Sequence, residues 1–237
     1  MIKQKVEKLG NRWVLYNPEL LEKPVAEYFS CSELQRKGLV VGSSDGRGET
    51  CFYKVKDKVW ALRHYLRGGL VAKVLFDRYF GVRLKNSRAW KEWNLLSDMI
   101  NLELPVPVPV AASVIKHGFF YQADLVTEYI EDTHTMAEVL STKSLDRELW
   151  KEIGICVRKF HNHSVFHSDL NAKNILLDKH NTVYLIDFDR CDFKNGEDWK
   201  QNNLQRLKRS LVKFKSKSAD FNYNEACWEW LVSGYQQ

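Results

Sequence analysis

The apolar pattern of this chain changes period along its length, and that change restricts the fold more than any other feature. Three runs, Leu39 to Gly42, Thr50 to Val55 and Val59 to Tyr65, are separated by a Gly-rich turn and by Lys56-Asp57-Lys58. They predict a three-strand meander. Ser87 can then cap a helix in which Ala89, Trp90, Trp93, Leu96 and Ile100 recur at helical spacing, ending before Pro105. A strand pair is predicted across Pro107 to Ile115 and Phe119 to Ile130. From Ser144, a candidate N-cap, to about His161 the positions Leu145, Leu149, Ile153, Cys156, Val157 and Phe160 predict a long core helix. Asn174 to Leu177 and Thr182 to Ile186 read as short strands around the turn Asp178 to Asn181. The remainder, from about Glu197, reads as helical, with Leu204, Leu207, Leu211 and Phe214 on one stripe. Strands first and helices later describe an α+β chain of two lobes joined near Thr127 to Asp132, with residues 1–128 as the N-lobe and 129–237 as the C-lobe.

Charge and cysteine usage narrow the setting. Five scattered cysteines, never in a C-x-x-C pair, predict neither a disulfide framework nor a zinc knuckle and fit a reducing cytosol. The amino terminus lacks the apolar stretch of a signal peptide, and no run approaches the length of a membrane span. The net charge of +6 is concentrated: eight Lys or Arg against Asp77 alone between Ala61 and Lys91, and seven with no acid between Trp199 and Lys217. Such patches favour anionic partners, whether nucleic acid, nucleotide phosphates, acidic lipid or a phosphorylated substrate.

The chemistry is carried by Phe166-His167-Ser168-Asp169-Leu170-Asn171-Ala172-Lys173-Asn174-Ile175-Leu176-Leu177 and, beyond the next turn, Val183-Tyr184-Leu185-Ile186-Asp187-Phe188-Asp189. The form H-x-D-L-x-x-x-N, an apolar strand, then D-F-x resembles the catalytic loop and metal-binding motif of the protein-kinase-like superfamily. The resemblance implies a bilobal fold with a small antiparallel-sheet N-lobe and a reduced, mostly helical C-lobe. Phosphoryl transfer needs a proton acceptor near the attacking hydroxyl and a divalent metal beside the triphosphate. Asp169 suits the first task. The Asn174 amide oxygen and the Asp187 carboxylate are hard oxygen ligands suited to Mg2+ with ATP. Lys173 is placed to pair with the transferring phosphoryl group. His167 is expected to pack under the loop and hold it by a hydrogen bond. Upstream, Gly46 and Gly48 lie where a phosphate-covering glycine loop would sit. Arg63, in Trp60-Ala61-Leu62-Arg63, stands at the position of the phosphate-holding lysine, with Lys73 as the competing choice and Glu92 as the helix partner. Glu128, Tyr129 and Ile130 follow a strand resembling the hinge that binds adenine through main-chain groups.

A narrower resemblance covers nearly the whole chain. Arg63-His64-Tyr65-Leu66-Arg67-Gly68-Gly69-Leu70, Asp77-Arg78-Tyr79, Arg88-Ala89-Trp90-Lys91-Glu92 and the two motifs above resemble the 3-deoxy-D-manno-octulosonic acid (Kdo) kinase family. The resemblance implies ATP-dependent phosphorylation of the Kdo sugar of a Kdo-lipid A type glycolipid at its 4-hydroxyl, in lipopolysaccharide core assembly at the cytoplasmic face of the inner membrane. Ser168 where protein kinases carry arginine, Asp189 where they carry glycine, the absence of A-P-E and the short stretch after Asp189 all depart from a regulated protein kinase. Asp189 is either a metal-side carboxylate or a turn residue. Arg67, Lys73, Arg78, Arg83, Lys85, Arg206, Lys208, Arg209 and Lys213 are candidates for contact with substrate or an anionic membrane surface. The alternatives are a heptose kinase or small atypical protein kinase, and a non-catalytic basic module binding nucleic acid.

Overall fold

The computed structural model describes residues 2–44, 50–65, 79–80, 83–117 and 120–237. These form two compact units, residues 1–101 with 107–129 and residues 102–106 with 130–237.

The first unit is built on one antiparallel sheet. Its strands are β1 (Lys5–Leu9), β2 (Arg12–Tyr16), β3 (Val40–Ser44), β4 (Thr50–Val55), β5 (Lys58–His64), β6 (Tyr79–Phe80), β7 (Pro109–His117) and β8 (Phe120–Glu128). They run in the order β1-β2-β7-β8-β5-β4-β3, with β6 paired to β8. The expected meander β3-β4-β5 and the expected pair β7-β8 are both present, and the pairing of β5 with β8 merges them. Alternation along β5 divides its side chains between two faces. Trp60 and Leu62 join Val14, Phe29, Leu34 and Val126 in the core on the side of a short 3-10 turn (Ala26–Phe29) and helix α1 (Cys31–Arg36). Arg63 and Tyr65 have the opposite parity. Helix α2 (Arg88–Asn101) packs on β7 and β8, burying Ala89, Trp90, Trp93 and Leu96 as its apolar period requires. Ser87, just before α2, donates from its hydroxyl to the Leu84 carbonyl, 2.7 Å, and accepts at its own carbonyl from Lys91 N–H, 3.0 Å.

The second unit is mainly helical, with small strand pairs holding its loops. After β9 (Thr133–Thr135), helix α3 (Met136–Thr142) starts in a capping box between Thr135 and Glu138. Helix α4 (Arg147–Asn162) begins later than expected: Asp146, not Ser144, is its N-cap and accepts from Leu149 N–H at 2.8 Å. A carboxylate there also complements the helix dipole. Strands β10 (Val165–Phe166), β11 (Ile175–Asp178), β12 (Val183–Leu185) and β13 (Asp192–Phe193) follow, then α5 (Asp198–Lys217) and α6 (Glu225–Tyr235). β11 pairs with β12 and β9, and β10 with β13. Helices α4 and α6 approach through Gly154 and Gly234, where an added Cβ would run into the Leu231 and Lys151 carbonyls. The stripe Leu204, Leu207 and Leu211 on α5 is core, while Phe214 is half-buried and stacks on Phe221. No described helix is long and apolar enough to cross a membrane.

Candidate active site

In the first unit, β5 and α2 bring Arg63 and Glu92 into an ion pair. Glu92 is buried, so its charge needs a partner. Besides Arg63, the Tyr65 hydroxyl donates to the same Oε2 at 2.6 Å, and Arg63 Nη2 also donates to the Tyr65 oxygen at 3.1 Å. The guanidinium groups of Arg63 and Arg88 lie 4.9 and 5.0 Å from the Tyr65 ring centroid. Burial, with the Glu92 charge adding to it, pushes the Tyr65 phenol well above its usual range, so the ring stays a hydroxyl donor. The triangle fixes the direction of Arg63.

On the other face of the sheet, buried Asp124 accepts from Arg12 at 3.1 Å and lies 2.6 Å from His64 Nδ1, its cross-strand neighbour. At the end of β8, Glu128 N–H donates to the Val108 carbonyl at 2.8 Å and Tyr129 N–H to Val59 at 2.9 Å. Glu128 also pairs with Lys58. The main-chain donors of Glu128 and Tyr129 are therefore used inside the unit. The Ile130 carbonyl accepts from the Thr133 hydroxyl at 2.7 Å.

In the second unit the catalytic-loop motif forms a tied knot. His167 is buried, and its Nδ1 accepts from Asp169 N–H at 3.2 Å while Nε2 donates to the Ile186 carbonyl at 3.0 Å. Both bonds require a neutral ring protonated on Nε2. Burial keeps it so by lowering its pKa. Asn174 Nδ2 donates to the Asp169 carbonyl at 2.9 Å, which turns its amide oxygen away from that carbonyl. Ile186 N–H donates to the Asn174 carbonyl at 3.0 Å, extending the β11–β12 ladder and seating Asp187 next to Asn174. Asp187 is exposed and has a left-handed φ of 65°, a conformation that costs a non-glycine residue energy and gathers at functional sites. Phe188 anchors this turn from below, buried against Phe160 and His167.

Asp169 is exposed, with each carboxylate oxygen engaged. Oδ1 accepts from Arg206 Nη1 at 3.0 Å and Oδ2 from Asn171 Nδ2 at 3.1 Å. Lys173 is exposed, and its N–H donates to Asn171 Oδ1 at 2.8 Å. Asp189 lies 3.8 Å from Arg190, and its carbonyl accepts from the Ser168 hydroxyl at 2.8 Å. Among the described residues no group of three His, Cys, Asp or Glu gathers as a metal site. An Asn–Asp pair of hard oxygens is nonetheless a donor set that Mg2+, which keeps several waters, accepts. Gly46, Gly48, Arg67, Lys73 and Arg78 lie outside the described residues.

Sequence reasoning missed Tyr65 and, on α5, Asn203 and Ser210. Asn203 is buried; its Nδ2 donates to the His167 carbonyl at 2.6 Å, and its Oδ1 accepts from His167 N–H at 3.4 Å and from His161 Nε2 at 3.2 Å. Burial drives the His161 pKa down to about 4, and its Nδ1 accepts from the Tyr235 hydroxyl at 2.8 Å. Ser210 accepts from Ala172 N–H at 3.3 Å. Residues 203, 206 and 210 thus grip the loop from successive turns of one helix face. A polar Asn within an otherwise apolar stripe was the available signal. Lys208, by contrast, pairs with Glu225 over the Trp228 ring.

Comparison with known proteins places the chain in a family. The model of the lipopolysaccharide kinase (Kdo/WaaP) family matches residues 32–235. A protein named 3-deoxy-D-manno-octulosonic acid kinase from Photobacterium damsela subsp. piscicida is 38% identical over 221 residues, 93% of this chain and 92% of its own. Proteins of the same name from Photobacterium profundum and Vibrio vulnificus are 40% identical over 226 residues and 37% identical over 236 residues. The alignments cover 95% of both chains in the first case, and 100% of this chain and 99% of the relative in the second.

Proposed function

Because the chain belongs to the lipopolysaccharide kinase (Kdo/WaaP) family and is a kinase, we propose that it transfers the γ-phosphoryl group of ATP to the 4-hydroxyl of the Kdo sugar of a Kdo-lipid A type glycolipid. In this reading the two units are the lobes of one kinase domain. The acceptor oxygen attacks the γ-phosphorus, the bond from that phosphorus to the bridging oxygen of ADP breaks, and the hydroxyl proton passes to Asp169.

Each chain residue has a physical task in this scheme. Arg63, aimed by Glu92 and Tyr65, holds the α- and β-phosphates, and arginine suits this because its planar fork matches phosphate oxygens. Gly46 and Gly48 cover the phosphates with backbone N–H groups. The segment Glu128 to Ile130 takes adenine through main-chain groups other than the Glu128 and Tyr129 N–H groups, which bond to Val108 and Val59. Asn174 and Asp187 are the residues that would hold Mg2+, whose charge offsets that of the phosphates. Lys173 pairs with the moving phosphoryl group. Exposed Arg83, Lys85, Arg209 and Lys213 attract an anionic membrane surface, so the protein works as a peripheral enzyme at the cytoplasmic face of the inner membrane.

One observation supports this reading above the others: the Asn174 side chain bonds the backbone of Asp169 while the Asn174 backbone bonds the residue before Asp187. The proposed base and metal ligands are thereby tied together at one end of the β11–β12 pair. Incubating the purified chain with ATP, Mg2+ and Kdo-lipid A and weighing the lipid by mass spectrometry tests it. The expected product has gained one phosphate on the Kdo sugar. A lipid of unchanged mass, or a phosphate gained on the lipid A sugars alone, would contradict the acceptor assignment.

A further inference from the structure

The acceptor proposed above is named as an acid, and its carboxylate creates a problem for a base that is itself a carboxylate. Two negative charges must approach while a hydroxyl is aligned between them and a polyanionic donor. A site that accepts such a sugar needs a cation within reach of Asp169. The described structure supplies one in Arg206, on the helix that grips the catalytic loop.

Resting on that functional reading, we propose that Arg206 is the residue that recognises the acceptor's carboxylate, leaving Asp169 to bind it. Arg206 is exposed, and its bond to Asp169 uses a single nitrogen, Nη1, at 3.0 Å. Both partners of that pair are about half exposed, 47% and 56% of the side chain, so the contact is a weak and exchangeable one in water. The oxygen it occupies is Oδ1. Asn171 bonds the other oxygen, Oδ2, at 3.1 Å, so Oδ1 is the oxygen that a turn of Arg206 would uncover for an acceptor hydroxyl. In the absence of acceptor, Arg206 covers the base. When the sugar acid arrives, the guanidinium turns its fork to the incoming carboxylate, a bidentate match, and Oδ1 is released to take the hydroxyl proton. A neutral sugar cannot make that exchange.

The position of Arg206 supports the assignment. Asn203 and Ser210, on the same face one turn to either side, bond the backbone of His167 and Ala172. The helix is thus held in register with the loop, and Arg206 is carried at a fixed height beside Asp169. Its neighbour Lys208 is committed to Glu225.

The test is a cycle between protein and substrate. Initial rates are measured for the unaltered chain, Arg206→Gln and Arg206→Lys, each with Kdo-lipid A and with its carboxyl methyl ester. Arg206→Gln is expected to raise KM for the acid about ten- to a hundredfold, the range of a hydrogen-bonded charge pair, with KM for ATP unchanged. The ester is expected to show a similar penalty with the unaltered chain and almost no further loss with Arg206→Gln. Arg206→Lys is expected to fall between, since an ammonium keeps the charge and loses the fork. Equal losses on acid and ester would mean that Arg206 only steadies Asp169, and would overturn the proposal. So would an ester used by the unaltered chain as well as the acid, an arm that involves no variant. Failure of the unaltered chain to phosphorylate either acceptor would overturn the functional reading and this inference with it.

Discussion

The charged groups of the two units are held in opposite ways. In the first unit Glu92 is buried, and Arg63 and Tyr65 close around it from a neighbouring strand, so the charges are part of the core. In the second unit Asp169 and Asp187 are exposed, and it is the backbone around them that is buried and bonded, through His167, Asn174 and Asn203. A buried pair cannot lose a partner without leaving an uncompensated charge. An exposed carboxylate can lose its charge with little effect on folding. The first arrangement suits a group that must point in one direction, the second a group that must meet substrate and exchange a proton.

Three perturbations sharpen this contrast. Glu92→Ala removes the counter-charge of Arg63 and the acceptor of the Tyr65 hydroxyl, and is expected to cost about 3 kcal/mol of stability in denaturant unfolding. A loss no larger than that of an exposed substitution would show that the pair is not structurally coupled to the sheet. Acid acts next, and on the second unit. His161 is held neutral with a pKa of about 4 against an ordinary value of 6.5, and His167 shifts the same way. As pH falls below about 6.5 the unfolded chain takes up protons that the folded chain refuses. Stability is therefore expected to decline from about pH 6.5 to about pH 4, by roughly 3 kcal/mol from His161, and then to level off for this group. Stability that stays flat across that window would contradict the neutral assignments. Asn203→Ala removes the clamp on the His167 backbone. It is expected to cost about 1–3 kcal/mol and to lower kcat more than it changes KM for ATP, because it loosens the loop that carries Asp169, the proposed base. Unchanged kcat with a lowered melting temperature would make Asn203 purely structural.

The sequence was informative wherever a local rule acts alone. The β3-β4-β5 meander, the helix carrying Glu92 and the short strands around Asp178 to Asn181 all follow from period and turn chemistry. Strand β1 did not stand out because it is an edge strand with exposed Lys5, Val6 and Lys8, giving little apolar signal, although Gly10-Asn11 between Leu9 and Arg12 is a hairpin turn sequence. The eight-stranded sheet was not legible either, since the pairing of β5 with β8 joins segments distant in sequence. Around the site, spacing named Asp169, Asn174 and Asp187 and proposed Arg63 with Glu92. It assigned no role to Tyr65, and on α5 it named Arg206 but not Asn203 or Ser210, because a helix that reads as an amphipathic basic segment gives no hint of which loop its polar face will meet.

The central claim is that Asp169 takes the proton of the acceptor hydroxyl and has little part in holding the fold. Single-turnover phosphoryl transfer by Asp169→Asn, measured beside its thermal unfolding, tests this most directly. The account predicts a rate lower by about two to four orders of magnitude with an unfolding midpoint close to that of the unaltered chain. A rate near that of the unaltered chain would contradict it.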